Sequence, residues 1–208
     1  MTEGKQDFFG EVSKEPSTFE ELFAFYQDFV KVFYSTVQSE NELPVEILFE
    51  INAALDHVSR HYIYEESEGK VVRKAYSHLK RACLDGFKIV LRETLKKADE
   101  LEKIDLSLID NGEFEQAFRK LVAAIKSGAV DARRLEGSPL DQPSETGVPA
   151  FDRWLPVMEK CFQLEQDYYL HPGVKWAKRK SMIFSWKGII VSALVGSAVT
   201  MILEGLLG

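Results

Sequence analysis

In "INAALDHVSRHYIYEE", His57, His61 and Glu65 follow one another at spacings of four. On a helix that spacing stacks the three side chains on neighbouring turns, where two imidazoles and a carboxylate are suitable donors for a transition metal. No HExxH arrangement or further clustered ligand accompanies them, and both histidines fall at the flank of an apolar stripe, so a partly solvated helix face is the plainer expectation. Just downstream, "RKAYSH" sets Arg73 five residues before His78, about 140° apart around a helix. One helix does not readily aim both at a single phosphate, whereas two copies of it can. Arg119 with Lys120 and Arg133 with Arg134 are short basic pairs in an acidic background, suited to surface ion pairs. No Gly-rich phosphate loop, Ser-centred elbow or kinase set occurs, so a nucleotide enzyme of a common type is disfavoured and no cofactor is implied.

The Arg73-x4-His78 element resembles the Arg-x(4-6)-His motif of the HEPN superfamily of all-α ribonucleases and nucleotide-binding proteins. The resemblance covers these six residues and a general helical-bundle pattern. Lys74 follows the arginine where that family often has a polar Asn, Asp or His. In the family, the Arg and His of two subunits converge on RNA, which would assign Arg73 to phosphate binding and His78 to proton transfer.

The elements that must position these residues all read as helices. After a polar lead over residues 1–16, Ser17 and Glu20 suggest a capping box, and Phe19, Leu22, Phe23, Tyr26, Phe29, Val30, Phe33 and Val37 recur at helical spacing. Pro44 suits a first turn, and Leu48, Ile51, Leu55, Val58 and Tyr62 form the next stripe, ending near "EESEG". A longer helix over roughly 71–101 would bury Val72, Tyr76, Leu79, Cys83, Val90 and Leu91 and act as the spine of a bundle. Phe114, Phe118, Leu121 and Ile125 mark a shorter helix that Gly128 would end. "GSPLDQPSETGVP", Gly137 to Pro149, reads as a loop, and helical spacing resumes in "AFDRWLPVMEKCFQLEQDYYL", with Pro156 expected near its start. The reading is an all-α helical bundle over residues 17–170 with a basic segment at 171–187 and a single transmembrane helix at 188–207.

Charge is segregated along the chain. Residues 1–170 hold 21 Lys and Arg against 32 Asp and Glu, whereas residues 171–208 hold 5 against 1. The acidic body disfavours a broad nucleic-acid surface, because phosphate binding draws on Lys and Arg. Cys83 and Cys161 lie far apart within helical patterns and read as reduced core thiols. "MTEGKQDFFG" lacks an apolar signal core, so the amino-terminal body is expected in the cytoplasm.

Gly188 to Leu207 is a run of 20 residues with one charge, long enough for a helix to cross a hydrocarbon layer of about 30 Å. Lys175, Lys178, Arg179, Lys180 and Lys187 precede it, with Trp176 and Trp186 as headgroup-level anchors. Ala193, Ser197, Thr200 and Glu204 share one helical face, and Gly188, Ser192, Gly196 and Thr200 form an overlapping run at spacing four. That small and polar face is expected to pack against copies of itself, gathering Glu204 carboxylates at one end of an oligomer. The resulting expectation is a single-pass membrane protein that binds the bilayer, self-associates, and works as an interaction or effector protein with a protein or small-ligand partner for its body. A bacterial stress or antiviral effector that perturbs the membrane is the concrete version; a membrane-tethered HEPN-like ribonuclease and a passive scaffold are the rivals.

Overall fold

A computed structural model describes residues 15–38, 44–136 and 149–181. The tail, with Trp186, Lys187, Gly188, Ser192, Ala193, Gly196, Ser197, Thr200 and Glu204, lies outside the described residues, as do residues 137–148. Within the described residues the chain is an all-helical bundle, and no helix there is long and apolar enough to cross a membrane.

The chain enters through α1, Phe19–Phe25, passes a π-helical turn at Tyr26–Val30, and continues as α2, Lys31–Gln38. "STFEE" offers two overlapping caps, Ser17 with Glu20 and Thr18 with Glu21, and the fold takes Thr18 as the cap while the Glu21 carboxylate reaches one residue further back, to Ser17. Thr18 Oγ1 accepts from the Glu21 backbone N–H at 3.3 Å, while the Glu21 carboxylate accepts from Ser17 N–H at 2.7 Å. The Phe19 N–H donates to Glu68 Oε1 at 2.9 Å, which ties this helix start to the start of α4, Glu68–Glu102. The cap is therefore displaced by one residue because a long-range acceptor satisfies the next free donor.

At 35 residues, α4 is the spine, about 52 Å long at ~1.5 Å per residue. It buries Val72, Tyr76, Leu79, Cys83 and Leu91 as the stripe predicts; Val90 is only partly buried. Along its first half lies α3, Val45–Tyr64, but turned from its expected orientation: Ile47, Ala54 and Val58 face α4, while Leu55 is 63% and Tyr62 71% exposed. The cause lies on α4. Gly86 has no Cβ, so the Phe33 ring and Ile47 Cδ1 both close over it, and a methyl there would overlap that ring. Seating Ile47 in this notch fixes the rotation of α3 and turns Leu55 and Tyr62 outward.

The centre of the bundle is aromatic. Phe29 sits between Phe25 and Phe33 at ring separations of 5.5 and 6.4 Å, and Phe151 meets Phe25, Phe29 and Phe87. Phe151 and the fully buried Trp154 come from α6, Pro149–Gln163, whose first residue already belongs to the helix rather than to the preceding loop. Pro156 accordingly falls in the interior of α6, not near its start. An interior proline costs ~3 kcal/mol or more in an isolated helix; packing against α4 and α5 on one side of α6 offsets it.

The helix α5, Glu113–Glu136, runs through Gly128 instead of stopping there. A Cβ on Gly128 would lie 2.9 Å from Val157 Cγ2, so this glycine marks a close crossing with α6, not a helix end. After α6, a π-helical stretch at Leu164–Tyr169 and a break at His171 lead into α7, residues 172–181. There the Asp105 N–H donates to Ser181 Oγ at 3.4 Å, which fastens α7 to the carboxy-terminal end of α4. Cys83 and Cys161 are free, buried thiols, as expected. Burial pushes the Cys161 thiol up to about 11, so it stays protonated at neutral pH.

Candidate functional site

The candidate site lies in the seam between α3 and α4, where the expected ligands part company. His61 faces the turn that follows α3: its Nδ1–H donates to the Glu66 carbonyl at 2.7 Å, and its ring packs edge-on against Phe19 at 5.1 Å. Glu65 takes a left-handed conformation, φ 56°, at the helix end. Both residues thus shape a helix terminus. Among the described residues no group of three His, Cys, Asp or Glu side chains is arranged to hold a metal ion.

His57 instead meets His78, the histidine of the Arg-x4-His element, with ring centroids 5.1 Å apart and planes tilted by 32°. Glu50, one residue class that the sequence reading did not single out, completes the group. His78 Nδ1 donates to Glu50 Oε2 at 2.6 Å, with both side chains about three-quarters buried. A carboxylate on Nδ1 fixes the proton there and leaves Nε2 as the nitrogen available for proton exchange. The signal for Glu50 was present in principle. It precedes His57 by seven residues, two helical turns, and so shares a face with it.

His57 has no such partner, and its buried Nδ1 makes no hydrogen bond within the protein. Its pKa is lowered, first by burial and then by the neighbouring His78, Lys74 and Arg60, with Asp56 opposing. The two histidines are therefore inequivalent: one is held by a carboxylate and the other is disfavoured as a cation.

Arg73 is exposed on α4 and is not drawn into this group. Its separation from His78 around the helix persists in the fold, so one copy of the chain does not bring the two to a common point. Lys80 is a second residue that sequence reasoning passed over. It is 5% exposed, and its Nζ stands 4.7 Å from the Tyr76 ring centroid and 5.2 Å from that of Phe151. Burial lowers its pKa, while Asp152 and Glu15 act in the opposite direction. Two aromatic faces give this ammonium a structural setting in the core.

The opposite end of α4 has different chemistry. A cleft of about 770 Å³ there is lined by Lys103, Lys175 and Lys178 together with Glu100, Ile104 and Val174. Beside it Trp176 is half exposed, and Lys180 Nζ lies 4.6 Å from its ring centroid. His78 and Leu101 are 23 positions apart on α4, so the histidine seam and this basic end are separated by about 35 Å. Comparisons with protein-family models, with curated proteins and with solved structures return no match for this chain.

Proposed function

We propose that the chain is a membrane-attached helical effector, with its body on the cytoplasmic face and the 188–207 segment crossing the bilayer and self-associating. The observation that carries this reading is the run of cations on α7 at the end of an otherwise acidic body. Lys175, Lys178, Arg179 and Lys180 lie on α7 beside Lys103, immediately ahead of an apolar run of 20 residues with one charge. Basic side chains near a bilayer surface contribute about 1 kcal/mol each toward anionic lipid, and Trp176 has the amphipathic ring favoured at headgroup depth. In this reading the histidine seam, some 35 Å from the basic end, receives a protein or small-ligand partner, and the anchors rearrange to perturb the membrane in a bacterial stress or antiviral response.

Flotation with anionic liposomes tests attachment, and dye leakage tests the effector step. The full chain should float and, on activation, release dye; a chain ending at Met182 should do neither. Recovery of the full chain in the soluble fraction would refute attachment, and flotation without leakage would leave a passive scaffold.

The Glu50–His78 bond favours one other reading, a membrane-tethered HEPN-like ribonuclease. There a carboxylate-oriented His78 would transfer the proton and an exposed Arg73 from a second copy would bind phosphate. Arg73→Ala and His78→Ala should then abolish RNA cleavage or toxicity while the fold and the anchor remain intact. Activity that survives both changes but disappears with the tail would exclude the enzyme.

A further inference from the structure

Helix α3 is covered on one side only. Its inner face lies along α4, and the Phe19 ring packs against His61 and Tyr62 near its end. Its outer side carries Val45, Phe49 and Ile63, which are 45%, 69% and 65% exposed. At ~100° per residue these three fall with Asn52 and Asp56 within about 40° of one line along the helix, opposite Ile47, Ala54 and Val58. Val45 and Phe49 stand together at one end of this face and Ile63 about 21 Å away at the other, with the exposed polar Asn52 and Asp56 between them.

We propose that this face docks antiparallel on the same face of a second copy of the chain. The order of residues along α3 argues for that occupant. Apolar groups stand at both ends, Val45 and Phe49 at one and Ile63 at the other, and the small Asn52 and Ala53 lie midway. Glu46 and Arg60 sit on a single flank near opposite ends, about 40° apart around the axis. A two-fold axis close to Ala53 and Ala54 brings Val45 toward Ile63 of the partner subunit and Glu46 toward Arg60 of the partner subunit, and symmetry repeats both contacts. A parallel pairing would carry the copies of Glu46 and Arg60 to opposite flanks of the interface and bring neither to its complement, so the charges select the antiparallel arrangement. Arg60 keeps Asp56 at 3.0 Å through Nε, leaving the rest of its planar guanidinium for a carboxylate across the interface. This contact belongs to the body and is independent of any contact between tails.

The test uses the full chain in mild detergent, with Asn52→Cys placed near the proposed two-fold; Cys83 and Cys161 are buried and remain as they are. Mild oxidation should yield a disulfide-linked dimer, whereas Lys120→Cys on the exposed side of α5 should give no disulfide-linked species. Adding Glu46→Lys should lower the cross-linked fraction roughly tenfold, and adding Arg60→Glu to that variant should restore it, with circular dichroism confirming helical content in each. Gly196→Leu with Ser197→Leu, which attacks tail association, should leave the Asn52→Cys dimer in place. A monomeric Asn52→Cys chain, a dimer indifferent to Glu46→Lys, or a dimer lost with the tail substitutions would each overturn the proposal.

Discussion

The two ends of α4 present opposite solutions to placing charge on a helical bundle. At the α3 end, charged and titratable groups are paired within the body: Glu50 with His78, Asp56 with Arg60, and Glu66 with Lys70 at 2.8 Å. At the α7 end the exposed Lys175, Lys178 and Arg179 share one helix. Pairing within the fold spends those charges on contacts between and along the helices. A concentration of one sign produces a field directed outward, which suits an extended anionic surface.

Removing the residues after Met182 breaks this comparison most severely. Membrane flotation should be lost completely, while the far-UV circular dichroism of the body stays helical. A truncated chain that still floats would relocate the membrane contact to the body. Phe87→Ala strikes the common support of both ends, because that fully buried ring packs against Phe33, Phe151 and Trp154. Denaturant titration should show a loss of about 3–5 kcal/mol, the usual cost of truncating a buried phenylalanine.

Smaller changes separate the ends. Lys175→Glu with Lys178→Glu should weaken binding to anionic vesicles by at least ~2 kcal/mol, roughly 30-fold, and should leave thermal stability nearly unchanged. Glu50→Gln should do the reverse: about 1–2 kcal/mol of stability lost with the charge-assisted bond to His78, and no change in vesicle affinity. An equal effect on both readouts in either variant would show that the ends are not independent.

The smallest expected effect is a pH dependence confined to the α3 end. Because the folded-state pKa of His57 is lowered, the unfolded chain binds its proton more readily. The stabilising contribution is present above the ordinary histidine value of about 6.5 and is lost as pH falls through the lower folded value. Melting temperature should therefore decline as pH falls from about 6.5 toward the folded value and level off below it, and His57→Gln should flatten the decline. A profile unchanged by that substitution would assign the titration elsewhere.

Much of the architecture was legible from spacing. The α4 stripe, the aromatic entry helix and the buried cysteines follow from 3.6-residue periodicity, which depends only on local geometry. Three of the misreadings fall where a glycine or a distant acceptor decides. Gly128 resembles a helix end in sequence, but it is where Val157 requires space. Leu55 and Tyr62 match an apolar stripe, but Ile47 seated over Gly86 rotates them outward. Ser17 and Thr18 offer equivalent caps, and Glu68, 49 residues away, makes the choice between them.

The candidate site divides in the same way. Spacing placed His57 beside His61, and the motif resemblance linked His78 with Arg73; the fold instead joins His57 with His78 and supplies Glu50 across the seam. The amino-acid sequence by itself determined the helical class, the segregation of charge and the apolar run near the carboxy terminus, since each is a property of composition or local period. Only the tertiary structure decided which face of α3 is covered and which histidines meet. Those outcomes depend on steric fit between helices, where one absent Cβ on α4 sets the rotation of its neighbour.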